Sequence, residues 1–204
     1  MICSEALGGQ IILNDDFDPG PNAGVVLVNR FSRMLRIDFL ASVYGLNDAE
    51  ITGSALTFLG KDKLAGIQLK VLHPVLCLEG KLRCLRRLPQ QGRQDLKHLL
   101  MSILCVKEFL GEFIREEESR PGLKLVERLL ESTLREDGLN AWYRYGICVE
   151  SAIPIDILGK LTEEKWQKFC QIRFPQVMER VNAKREHYRE IMNRIDSQKQ
   201  NRGL

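Results

Sequence analysis

One carboxylate stands where packing alone would not put it. Asp38 lies between Ile37 and Phe39 in Met34–Leu40, a stretch whose aliphatic and aromatic residues predict a strand. Successive strand side chains alternate between faces, so Asp38 shares a face with Arg36 and Leu40, and Ile37 and Phe39 face the other way. Two readings follow. On a solvated face Asp38 pairs with Arg36 or a cross-strand neighbour. Alternatively it is a metal-binding carboxylate on a rigid strand, as two-metal phosphoryl transfer requires. Asp16 and Asp18 have the spacing to share a strand face, but Asn14–Asn22 is rich in Pro and Gly and reads as a loop. A carboxylate pair carried on a loop holds a metal weakly.

The element that must position Asp38 is a hairpin. Val25, Val26, Leu27 and Val28 predict its first strand, Asn29–Arg33 its turn and Met34–Leu40 its return. Gln10–Leu13 predicts a strand before it. Gly45–Ile51 reads as a turn and a polar connection. Ala55–Leu59 and Ile67–Leu72 predict two more strands. No helix-periodic stretch separates the strands, which argues against parallel βαβ units. The chain changes character at His73-Pro74, because Pro is favoured at the first position of a helix. Leu78, Leu82 and Leu85 then form an apolar helical stripe that ends at Leu88–Gly92.

A second helix over about 93–117 carries Leu96, Leu99, Leu100, Ile103, Val106, Leu110, Phe113 and Ile114 at spacings of three and four. Pro121-Gly122 predicts a break, and a third helix over Leu123–Glu136 is closed by Asp137-Gly138. Trp142, Tyr143 and Tyr145 precede a stop at Gly146; they suit a bundle core or a base-stacking role. Ile153–Gly159 reads as a connector. Thr162 predicts the N-cap of a helix with Trp166, Phe169 and Ile172 buried, ended or kinked at Pro175. A last helix spans 176 to about 197. The fold class is thus α+β: a small mixed or antiparallel sheet region over 1–72, a helical bundle over 73–197 and a disordered tail over 198–204.

The succession Ile37-Asp38-Phe39-Leu40, His73-Pro74 through Lys81-Leu82, and Arg93-Gln94-Asp95 opening a long helix resembles the nucleotidyltransferase superfamily. The group it is similar to includes the AbiEii-like toxins of bacterial type IV toxin–antitoxin systems. The resemblance covers roughly residues 5–180. It implies that Asp38 is a catalytic carboxylate holding metal, that Lys81 meets the nucleotide, and that Asp95 holds the site together or positions the acceptor. Mg2+ and a nucleoside triphosphate are the implied cofactor and substrate, with RNA or an antitoxin-like protein as implied partners. One departure matters. The Gly-Ser turn and Asp-x-Asp strand that precede the third carboxylate in that superfamily have no counterpart here. The resemblance therefore implies a truncated or catalytically degenerate nucleotidyltransferase that binds Mg2+ and nucleotide weakly. Its alternative is a non-catalytic RNA- or protein-binding module of the same descent.

Composition fits a soluble chain. Hydrophobic residues make up 44% and charged ones 28%, and no apolar run approaches the length of a membrane span. The first residues lack the pattern of a signal peptide, and six scattered cysteines without a Cys-x-x-Cys fit a reducing cytoplasm and supply no zinc set. Net charge is only +3, but it is unevenly spread. Residues 1–20 carry four acidic side chains and no basic one, whereas 81–97 carry six basic ones against Asp95 alone. A polyanionic partner or a solvated helix face would each account for the basic run.

Overall fold

Val25, Val26 and Val28 are buried in the middle strand of a three-stranded antiparallel sheet, ordered β1-β2-β3. The computed structural model describes residues 8–13, 22–30, 32–40, 42–62, 65–116 and 119–201. Its strands are β1 (Gln10–Leu13), β2 (Asn22–Arg30) and β3 (Arg33–Leu40). Val26 pairs with Ile11 and Ile37, and Val25 with Ile12 and Asp38; Val25 and Val26, which face opposite ways, are both buried while the residues of β1 and β3 are exposed. Arg30 pairs with Arg33. Asn29, Arg30 and Arg33, expected in the turn, therefore belong to the strands. Helix α1 (Asp48–Ser54) replaces the expected polar connection. The Asn47 side chain caps it by accepting from the Glu50 N–H at 3.1 Å. No residue of α1 is buried, so no apolar periodicity announced it.

By its contacts the chain forms two compact units, Met1–Ala55 and Leu56–Leu204. The second opens with an antiparallel pair, β4 (Leu56–Leu59) and β5 (Gln68–Val71). Its helices are α2 (Pro74–Arg87), α3 (Asp95–Glu116), α4 (Ser119–Leu134), α5 (Glu136–Tyr145), α6 (Ile155–Leu158), α7 (Glu164–Lys168) and α8 (Phe174–Asn201). The expected α+β class, antiparallel strands followed by helices, is what the chain forms. Among the described residues no helix is long and apolar enough to cross a membrane.

The core of this unit gathers Leu78, Leu82 and Leu85 of α2, Leu99, Ile103, Val106 and Leu110 of α3, Val126 and Leu129 of α4, and Trp166. Removing such side chains from water is the main drive for assembling the bundle. The α3 stripe is narrower than its periodicity predicts, for Leu96 and Leu100 are exposed.

Three breaks fall elsewhere than expected. Pro121 sits inside the first turn of α4, where its missing N–H would have no helical acceptor, so the helix begins at Ser119. Asp137 and Gly138 lie in the first turn of α5. A Cβ on Gly138 would stand 2.2 Å from the Ser132 carbonyl oxygen, so the close approach of the α4 end, not a helix stop, explains the glycine. Gly146 does stop α5, in a left-handed conformation at φ 67°. Pro175 neither ends nor closes a helix. A π-helical segment, Phe169–Arg173, joins α7 to α8, and Pro175 is the second residue of α8. That segment turns Ile172, expected in the core, out to 54% exposure. Glu163, not Thr162, is the N-cap of α7. A 3-10 turn (Val149–Ala152) and α6 occupy the connector region. Helix α8 continues to Asn201, and 202–204 lie outside the described residues.

Candidate functional site

Two of the residues singled out in the sequence meet at the packed pair α2 and α3. Pro74 and the His73 side chain, whose Nδ1 accepts from the Val75 N–H at 3.2 Å, start α2. The leucine stripe turns Leu78, Leu82 and Leu85 inward, which leaves Lys81 half-buried at the flank. Asp95 is the first residue of α3, where the helix N-terminus favours a negative charge. Its carboxylate is buried. It accepts from Lys81 Nζ at 3.3 Å through one oxygen and from Arg93 Nε at 2.5 Å through the other. Burial pushes this carboxyl up, but the Arg93 hydrogen bond and charge, with Lys81 behind them, outweigh it and hold it below the usual carboxylate range. The nearby Cys84 thiol is pushed up, first by burial and then by the Asp95 charge.

Beside Lys81 an apolar concavity of about 370 Å3 opens between the two helices, lined by Leu72, Pro74, Cys77, His98, Met101 and Cys105. Its walls offer little to a triphosphate, which needs several donors or cations at once.

Asp38 is placed on β3 in the other unit. Its carboxylate is 43% exposed and accepts from Arg36 Nε at 2.9 Å, the same-face pairing open from the sequence. Asp16 and Asp18 lie outside the described residues. No family model, curated protein or solved structure matches the chain.

The basic run is occupied. Arg83 reaches Glu79 at 3.8 Å, Arg86 pairs with Glu136 and with Asp137 at 3.1 Å, and Arg87 reaches Asp137 at 3.7 Å. Lys81 and Arg93 share Asp95. Lys97 is exposed.

Sequence reasoning did not find two buried, two-pronged charge pairs. Glu79, at 3% exposure, takes a two-pronged bond from Arg128, 2.7 Å on each oxygen, and a third from the Ser132 hydroxyl at 3.0 Å. Burial pushes its carboxyl up, and the Arg128 bond and charge pull it below the ordinary range. Arg185 of α8 holds Glu150 in the same two-pronged way, 2.8 Å on each oxygen, and stacks on Trp142 at 5.3 Å. A hint was present for the second. Position 185 continues the Val177, Val181 spacing of four, so an arginine there had to be buried with a partner.

Proposed function

We propose that this chain is a non-catalytic protein-binding module of nucleotidyltransferase-like descent, which takes an extended segment of its partner as an added strand along β3. One contrast supports the reading. The cationic side chains at 81, 83, 86, 87 and 93 are each held by a carboxylate of their own unit, so a nucleic acid would have to displace those partners. β3, by contrast, is an edge strand among the described residues, and Leu35, Ile37 and Phe39 stand exposed on it at 48%, 37% and 39%. An edge of this kind recognises an extended peptide through main-chain hydrogen bonds, with alternate apolar side chains supplying selectivity.

The test is a titration of the isotope-labelled chain with eight-residue peptides of alternating valine and threonine. Amides of β3 should shift and gain exchange protection while those of α2 and α3 stay still, and Ile37→Lys should weaken the effect. Unmoved β3 amides would overturn the reading. Tight tRNA binding that is lost in Arg86→Ala would turn it towards nucleic acid.

A second reading, nucleotidyl transfer to a nucleic-acid or protein hydroxyl, is favoured by the meeting of Lys81 and Asp95 at 3.3 Å. Incubation with labelled nucleoside triphosphates, Mg2+ or Mn2+ and total tRNA decides it. The expected result is no transfer; label transfer that vanishes in Asp38→Ala would establish the enzyme.

A further inference from the structure

Helix α3 is covered unevenly. On one flank its C-terminal half is closed by α6: Lys107 reaches Asp156 at 3.8 Å, and a Cβ on Gly111 would stand 2.9 Å from Ile157 Cδ1. The N-terminal half of that flank is bare. Leu96, Leu100 and Leu104 rise along it at intervals of four, exposed at 38%, 49% and 65%, with Met101 beside them at 53%. A ridge of residues four apart is the surface that interlocks with the same ridge on another helix.

We infer that α3 packs antiparallel on the α3 of a second copy of this chain, about a two-fold axis passing between Ser102 and Ile103. Charge selects both the occupant and the direction. Lys97 and Glu108 are exposed at the two ends of the apolar patch, and among the described residues neither is in an ion pair. At ~100° per residue, Lys97, Met101, Leu104 and Glu108 fall within ~60° of arc and so form one face. The two-fold axis brings Lys97 opposite Glu108 of the second copy, and by symmetry does so twice. It sets Met101 against Leu104. A parallel arrangement would oppose lysine to lysine and glutamate to glutamate. The patch is self-complementary, as a two-fold interface must be. A single helix crossing buries less than the ~1,600 Å2 of a standard interface, so a dissociation constant in roughly the micromolar range is expected.

Sedimentation equilibrium of the full chain over a concentration series tests this, with circular dichroism to verify the fold of each variant. Lys97→Glu and Glu108→Lys, each alone, should weaken the dimer roughly tenfold by setting like charges opposite one another twice. The double variant should return to within about twofold of the wild type. A chain that stays monomeric at 100 μM, or a double variant no better than the singles, would overturn the proposal. Peptide binding at β3 is read separately and does not move with either outcome.

Discussion

The sheet unit and the helical unit treat charge in opposite ways. Asp38 and Arg36 stand two residues apart on the exposed face of a strand, and their pairing joins nothing that the strand does not already join. Glu79 and Arg128 come from different helices, as do Arg86 and Asp137, and Arg185 of α8 reaches Glu150 in the turn before α6. These pairs fix which elements lie side by side. An exposed pair is screened by water and worth little, whereas breaking a buried one strands a charge. The same chemistry therefore decorates one unit and locks the other.

Removing the lock should be the largest effect. Arg128→Ala leaves the buried Glu79 with only the Ser132 hydroxyl and the more distant Arg83 at 3.8 Å, and should destabilise the helical unit by about 3 kcal/mol. Denaturant midpoints measure it. Replacing the pair together, Glu79→Gln with Arg128→Met, should cost clearly less; equal losses would mean that packing, not charge, holds α2 to α4.

Gly138→Ala comes next. The added methyl must push the Ser132 carbonyl away, at about 1–3 kcal/mol, and the loss should appear in the same unfolding transition.

Acid should divide the units in a graded way. The His73 imidazole is lowered by burial and then by the Arg128 charge, and its Nδ1 must stay unprotonated to cap α2. Its stabilising contribution is complete above the ordinary imidazole value of about 6.5 and is lost as pH falls through the lowered folded value. Asp95 and Glu79 are also lowered, so theirs is complete above the usual carboxyl range and is lost beneath it. Thermal unfolding between pH 7 and 3 should show helical stability falling in two stages, and Asp95→Asn should flatten the second.

The smallest effect belongs to the sheet. Asp38→Ala should change stability by no more than about 0.5 kcal/mol. A loss comparable to that of Arg128→Ala would erase the contrast between the units.

The long helices were legible because one-sided burial writes its period into the residues, and the strands because runs of β-branched and aliphatic residues favour extended chain. The leucines of α2 and the α3 stripe carry the first mark, and Val25–Val28 the second. Helix α1 was not legible, since nothing in it is buried and only the Asn47 cap defines its start. Pro121, Gly138 and Pro175 were misleading for a shared reason. Each has two uses, as a breaker or as a residue accommodated at a helix start or a close contact, and only the neighbouring backbone chooses between them. Of the candidate site, the meeting of Lys81 and Asp95 depends on how α2 packs against α3. Local periodicity places each residue on its helix but does not bring the two together.

The π-helical segment acts as a phase corrector. Phe169 and Val177 are both buried, yet eight residues of regular α-helix would leave them ~80° out of step. The wider turn absorbs that mismatch and lets one continuous rod present two inward stripes. A single-residue deletion within 169–173 would leave seven residues of regular helix between these positions, only ~20° out of step, and so would keep Arg185 facing Glu150. An insertion elsewhere in the rod would instead rotate everything beyond it by ~100° and carry Arg185 away from Glu150. The rod therefore accepts the loss of one residue within the wide turn better than a one-residue change of length beyond it, and closely related chains that differ in count should do so within 169–173.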